Sequence, residues 1–104
     1  TKMTPSARSI AHMKSLGYIV ANCDHYNYFT KRRHDLYGVI DLLCIGNGET
    51  VAVQVTSKSN MSSRIKKIEA SEAFPEMLRS GWRVLVQGWW KNAKGRYEVK
   101  EFEF

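Results

Sequence analysis

The dipeptide Asn47-Gly48, set between two apolar runs, constrains this chain more than any other feature. The runs are Tyr37 to Ile45 and Thr50 to Val55, and an Asn-Gly pair between such runs signals a tight two-residue β-hairpin turn. With Asn47 and Gly48 at the centre of that turn, Leu42 falls opposite Val53 and Asp41 opposite Gln54. Side chains alternate along a strand. Ile40, Leu42 and Cys44 therefore share a face with Val51, Val53 and Val55, and that face is core. The other face carries Val39, Asp41, Leu43 and Ile45 beside Thr50, Ala52, Gln54 and Thr56, with the same parity continuing to Lys58. An acid, an amide and an amine converge at one end of the hairpin. A carboxylate inside Val39-Ile40-Asp41-Leu42-Leu43 costs on the order of several kcal/mol unless it is paired or binds a cation. Asp41 requires an explanation.

A chain of 104 residues, 43% of them hydrophobic, is the size of one small domain with a two- or three-layer core. No apolar run approaches the roughly 20 residues of a membrane span, and no signal-peptide pattern opens the chain, so the expectation is a cytoplasmic protein without a membrane partner. Cys23 and Cys44 stand 21 residues apart without the spacing of a zinc site, and read as two reduced core thiols. A net charge of +6 favours a polyanionic partner such as nucleic acid.

Thr4-Pro5 is an N-cap followed by proline at the first helical position, and Ile10, Met13 and Leu16 recur at helical spacing, so a first helix spans Pro5 to Leu16. Tyr18 to Cys23 reads as a short strand pairing beside the hairpin. Asp24 to Leu36 reads as a loop in which Tyr26, Tyr28 and Phe29 accompany Lys31, Arg32 and Arg33. Rings stack on bases while cations neutralise phosphates; the plainer alternative is a basic loop whose rings tuck onto the core. Ser59 and Asn60 offer N-cap chemistry for a second helix marked by Met61, Ile65, Ile68 and Glu72, interrupted at Pro75 and closed at Gly81. Arg64, Lys66 and Lys67 extend its basic surface, or form an ordinary solvated face. Trp82 to Trp90 is a fourth strand, with Trp82, Val84, Val86 and Gly88 on one face and Leu85 on the other. A turn bearing Lys91, Lys94 and Arg96 leads to a fifth strand, Tyr97 to Phe104, whose apolar parity shifts midway, as a bulge or an edge position would allow. The order is α-β-β-β-α-β-β, an α/β sandwich around a mixed sheet.

Gly17-Tyr18-Ile19, Ile40-Asp41 and Gln54-Val55-Thr56, in that order of elements, resemble the PD-(D/E)XK nuclease superfamily, the restriction-endonuclease-like fold. The likeness runs from about Pro5 to Trp89 and is closest to small phage-type nucleases and archaeal Holliday junction resolvases. It implies a Mg2+-dependent endonuclease, with Mn2+ as substitute, acting on nucleic acid and foremost on DNA. Asp41 takes the place of the metal-binding aspartate, and Gln54 that of the second acid, replaced by its amide. Thr56 stands where the family has lysine, and Lys58 serves as a migrated lysine; the glutamate that many resolvases carry in helix one falls near Ser6.

Hydrolysis of a phosphodiester needs a metal to polarise the phosphate and activate water, and a cation near the developing charge. On this reading Asp41, Gln54 and a Val55 backbone carbonyl are the metal ligands, and Asp41, Gln54 and Lys58 the catalytic set. Lys31, Arg32, Arg33, Arg64 and Lys67 form the nucleic-acid contact. Asp35 would stand about 20 Å from Asp41 on an extended chain, and is expected to pair with Arg32 or Arg33 rather than share the metal. Three alternatives stay open: an Asp41–Lys58 ion pair without turnover, a catalytically silent nucleic-acid-binding module on the same fold, and a toxin or RNA-processing nuclease. Small members of the fold often work as homodimers.

Overall fold

Why the central hairpin is apolar on both sides becomes plain from what covers it. The computed structural model describes residues 3–104, apart from the side chains of residues 25–27 and 32–33. Helix α1 (Pro5–Ser15) begins as its cap chemistry requires: Thr4 Oγ1 accepts from the Ala7 N–H at 3.1 Å and Pro5 opens the first turn. Leu16 is its C-cap, and Gly17 turns the chain away at a φ of +95°, a conformation glycine adopts without strain.

Strands β1 (Ile19–Asn22), β4 (Leu42–Gly46), β5 (Glu49–Ser57), β6 (Arg83–Lys91) and β7 (Tyr97–Glu103) form a five-stranded mixed sheet in the order β1-β4-β5-β6-β7. The hairpin register is the one the Asn-Gly turn dictates, with Leu42 opposite Val53 and Cys44 opposite Val51. Among the described strands only β5 and β6 are parallel, and a parallel pair needs a crossover. That crossover is a 3-10 turn (Lys58–Asn60), α2 (Met61–Glu69) and α3 (Phe74–Arg79). The result is an α/β fold of one five-stranded sheet and three helices, accompanied by a small hairpin of β2 (His25–Asn27) and β3 (Arg32–His34).

One sheet face packs Leu42, Cys44, Val51, Val53, Val55 and Leu85 against Met13 of α1. The other packs Ala52, Val84 and Val86 against Met61 and Ile68 of α2 and Met77 of α3. Burial on both faces is what a parallel pair at the centre of a sheet demands. Away from the crossover, Arg83 binds Glu103 through two bonds of 2.9 and 2.7 Å and also contacts Glu49, tying β5, β6 and β7 together. Among the described residues no helix is long and apolar enough to cross a membrane.

Four expectations need correction. The run Tyr37 to Ile40 is a turn rather than strand, so β4 starts at Leu42 and Ile40 joins the α2/α3 core instead of following Leu42 and Cys44. Segment 24–36 is not simply a loop, since His25 to His34 closes the β2–β3 hairpin. Asn60 precedes α2 without a side-chain cap bond, because residues 58–60 are already in the 3-10 turn. The second helix is two, α2 and α3, with Pro75 in the first turn of α3. Of the two causes offered for the parity shift in β7, the edge position is the one found: its register with β6 is continuous, and apolar side chains change face from Tyr97 and Val99 to Phe102 and Phe104.

Candidate metal centre and its basic rim

The site lies at the end of the sheet where β5 outlasts β4. Asp41 immediately precedes β4; its N–H donates to Val53 O at 2.9 Å and its carbonyl accepts from the Cys23 N–H at 2.7 Å. The residue is 6% exposed. Asp41 Oδ2 accepts from the Val55 N–H at 2.8 Å and from Gln54 Nε2, so the facing of Asp41 and Gln54 expected from the hairpin turn is realised as a direct contact.

Two more acids reach this point from other segments. The Leu36–Ile40 turn is closed by Leu36 N–H to Ile40 O at 2.9 Å and Ile40 N–H to Leu36 O at 3.0 Å, with Tyr37 and Gly38 at φ of 54° and 75°. It folds the chain back so that Asp35 returns to Asp41. Asp24 arrives from the end of β1, where the Cys23 bond to Asp41 O fixes its position. One carboxylate oxygen from each of Asp24, Asp35 and Asp41 lies within 4.8 Å of the others. The expected separation of Asp35 from Asp41 is thus overturned by a turn that the extended-chain estimate did not contain.

These acids line a cleft of about 360 Å³ together with Ser6, Gln54, Val55, Arg64 and Lys67. Burial pushes the Asp41 carboxyl up to about 6, reinforced by Asp35 and Asp24 and opposed by the Val55 N–H and Arg64. Burial and then Asp24 likewise raise Asp35, against the pull of Lys67. Carboxylates crowded in a buried site disfavour full ionisation unless a cation joins them.

The donor set suits a hard divalent cation. Carboxylate and amide oxygens are the ligands magnesium and manganese take. Gln54 is 1% exposed, and with its Nε2 given to Asp41, its Oε1 is buried with no hydrogen-bond partner. A buried carbonyl oxygen left in that state is unfavourable by roughly 1–3 kcal/mol, and a cation beside Asp41 would satisfy it. Asp24, Asp35, Asp41 and Gln54 therefore fit such an ion.

The expected residues do not all gather here. Asp41, Gln54 and Val55 do, and of the basic residues so do Arg64 and Lys67, both from α2. Lys58 does not line the cleft: β5 ends at Ser57, the alternation stops there, and Lys58 Nζ lies 4.2 Å over the Trp90 ring. Lys31 is an exposed residue of the β2–β3 connection at a φ of 56°. The side chains of Arg32 and Arg33 lie outside the described residues, as does that of Tyr26. Tyr28 and Phe29 are 83% and 100% exposed, so these two rings do not tuck onto the core. Cys23 and Cys44 are free thiols.

The sequence held signals for the two missed acids. Tyr37-Gly38 is a turn-forming pair, and a strand ending at Cys23 beside the hairpin brings the next residue to Asp41. Comparison with models of known protein families, with curated proteins and with solved structures finds no match.

Proposed function

We propose that this protein is a metal-dependent nuclease hydrolysing phosphodiester bonds of nucleic acid, foremost DNA, on a restriction-endonuclease-like arrangement of its sheet and helices. The observation that carries the reading is the gathering of Asp24, Asp35 and Asp41 in a cleft that Gln54, whose carbonyl oxygen is buried without a partner, lines together with Arg64 and Lys67. Support for the reading comes from the connectivity α1, then β1, β4 and β5, then a crossover to parallel β6; on this reading Asp41 and Gln54 would take the family's two ligand positions. Ser6 lines the cleft where many resolvases place a helix-one glutamate, and Asp24 and Asp35 supply acids from other segments.

The protein's own residues have distinct tasks. Asp24, Asp35, Asp41 and the Gln54 carbonyl would hold Mg2+ or Mn2+, which when bound supplies positive charge to the phosphate and lowers the pKa of water. The Val55 N–H and Gln54 Nε2 orient Asp41 by occupying one of its two oxygens. Lys67 and Arg64 present cations to the negative charge that grows on the phosphate as water adds and the P–O ester bond breaks. Lys67, rather than Lys58, is the amine placed for that role. Exposed Tyr28 and Phe29 beside Lys31 extend the contact toward flanking nucleotides.

The test is cleavage of labelled duplex, single-stranded and four-way-junction DNA by the parent and Asp41→Asn, with Mg2+, Mn2+ or chelator. Cleavage that disappears in both the variant and the chelator is expected. If nothing is cut, while binding persists and ignores Asp41, the fold serves as a binding module and the nuclease reading fails.

A further inference from the structure

The outer end of the β6–β7 hairpin concentrates cations that the acidic cleft does not use. Ser57 at the end of β5 pairs with Trp89, whereas Trp90 and Lys91 go beyond it and pair with Glu98 and Tyr97 of β7. The hairpin thus projects past its neighbour. Arg8, Lys58, Lys91, Lys94 and Arg96 gather at this end, five of the sixteen Lys and Arg of the chain, so a large share of the positive charge lies away from the cleft. Glu98, an acid at this end, accepts from Asn92 Nδ2 at 3.1 Å.

Aromatic rings hold three of these cations. Arg8 Cζ lies 3.6 Å from the centre of the Tyr97 ring, and Lys91 Nζ lies 5.9 Å from the same ring. Lys58 Nζ lies 4.2 Å over Trp90. Trp90 and Lys91 are successive residues of β6, so the two ring clusters occupy opposite faces of the projecting ribbon. A ring face covered by its own cation is a poor platform for a base, but the cation keeps outward N–H donors for phosphate. Part of the rotamer freedom that long side chains lose on binding has already been given up.

Two elements lead from the cleft toward this ribbon end. Ser6 lines the cleft and Arg8 follows it on α1; Val55 lines the cleft and Lys58 follows the end of β5. We propose that the projecting end of the β6–β7 hairpin, with Arg8 and Lys58, grips the phosphate backbone flanking the segment held in the cleft; the choice of nucleic acid as the polyanion rests on the nuclease reading. Binding there is carried by charge and is indifferent to base sequence.

Each phosphate contact contributes a slope of about −0.9 to log K against log salt on a duplex, so three ring-held cations account for about −2.7, or about 40-fold in affinity between 50 and 200 mM salt. Binding of a short labelled DNA duplex is measured by anisotropy across salt, in chelator, for the parent and for Arg8→Gln/Lys58→Gln/Lys91→Gln. A second variant, Lys94→Gln/Arg96→Gln, alters exposed turn positions and remains informative if the first fails to fold. Lys14→Gln/Arg79→Gln, on α1 and α3, is the control. The triple variant is expected to lose about 2.7 from the parent's slope, the turn variant about 1.8 for its two further contacts, and the control none. Parent-like slopes in both hairpin variants, or no salt-dependent duplex binding by the parent, overturn the proposal. Because chelator removes cleavage from the measurement, an inert cleft with an intact ribbon contact would refute only the nuclease reading. An active cleft with unchanged slopes would refute only this one.

Discussion

Replacing Asp41 by asparagine should make the metal-free protein more stable, and only above mildly acidic pH. Burial moves this carboxyl from an ordinary 3.8 to about 6, which corresponds to a cost of about 3 kcal/mol for keeping it ionised in the fold at neutral pH. Asparagine can retain the Val55 N–H and Gln54 bonds on its oxygen and present its amide to Asp35 and Asp24. With relaxation and the loss of Arg64's attraction set against that ceiling, the expected gain is about 1–2 kcal/mol, or a rise in Tm of roughly 5–10 °C for a domain of this size. The direction with pH follows from proton binding. Between 3.8 and about 6 the folded protein keeps a proton that the unfolded chain has released, so parent stability falls as pH rises through that window and then levels off. Below about pH 4 Asp41 is neutral in both states and the advantage of asparagine vanishes. Urea unfolding of both proteins in chelator at about pH 4 and about pH 8 measures this. Saturating Mg2+ at the higher pH should stabilise the parent and leave the variant behind. An equal gain at both pH values, or a variant less stable at the higher one, would show that Asp41 is already compensated and refute the reasoning.

Gln54→Glu adds a fourth carboxylate where an amide now supports Asp41; calorimetric titration should show Mg2+ affinity raised by about tenfold or more, while metal-free stability falls because buried like charges repel. Lys67→Ala should reduce turnover by at least about tenfold at saturating substrate, whereas Lys58→Ala, which loses the Trp90 contact and the phosphate contact proposed for it outside the cleft, should leave the chemical step unchanged in single-turnover assays at saturating substrate. Gly88→Ala should lower stability by about 1–3 kcal/mol in urea unfolding, since its Cβ would stand 2.4 Å from Met61 Sδ and 2.9 Å from the Lys58 Cα, where backbone cannot yield easily.

What could be read from the sequence was what local chemistry decides. Asn47-Gly48 sets the hairpin register because a tight turn admits one pairing, and Thr4-Pro5 starts α1 through a cap three residues long. The alternation in β6 separates Val84 and Val86 from Leu85 because both sheet faces are covered. The site was legible only in part, through Asp41, Gln54 and Val55 on the hairpin itself and Arg64 and Lys67 on the next helix. Asp24 and Asp35 were missed because their proximity depends on long-range pairing and on a reversal at Tyr37-Gly38 hidden inside an apolar run. Lys58 was misplaced because alternation was carried one residue past the strand, into a 3-10 turn with a different side-chain direction.

The layer architecture explains why an acidic centre sits where it does. A sheet buried on both faces offers solvent only at its edges and strand ends, so a charge on the central hairpin can reach the outside only where one strand stops short. β4 stops at Leu42 while β5 continues to Ser57, and the turn that shortens β4 also delivers Asp35. Tyr37 at a φ of 54° is part of that reversal, at roughly 1–2 kcal/mol for a residue with a Cβ. A straight strand through residues 37–41 would avoid the strain and separate the acids. Full ionisation of the three carboxylates against Arg64 and Lys67 leaves an excess negative charge among the described cleft residues. On the proposed reading, Arg64 and Lys67 offset part of that charge and the three gathered carboxylates are left for a cation from outside the chain to neutralise.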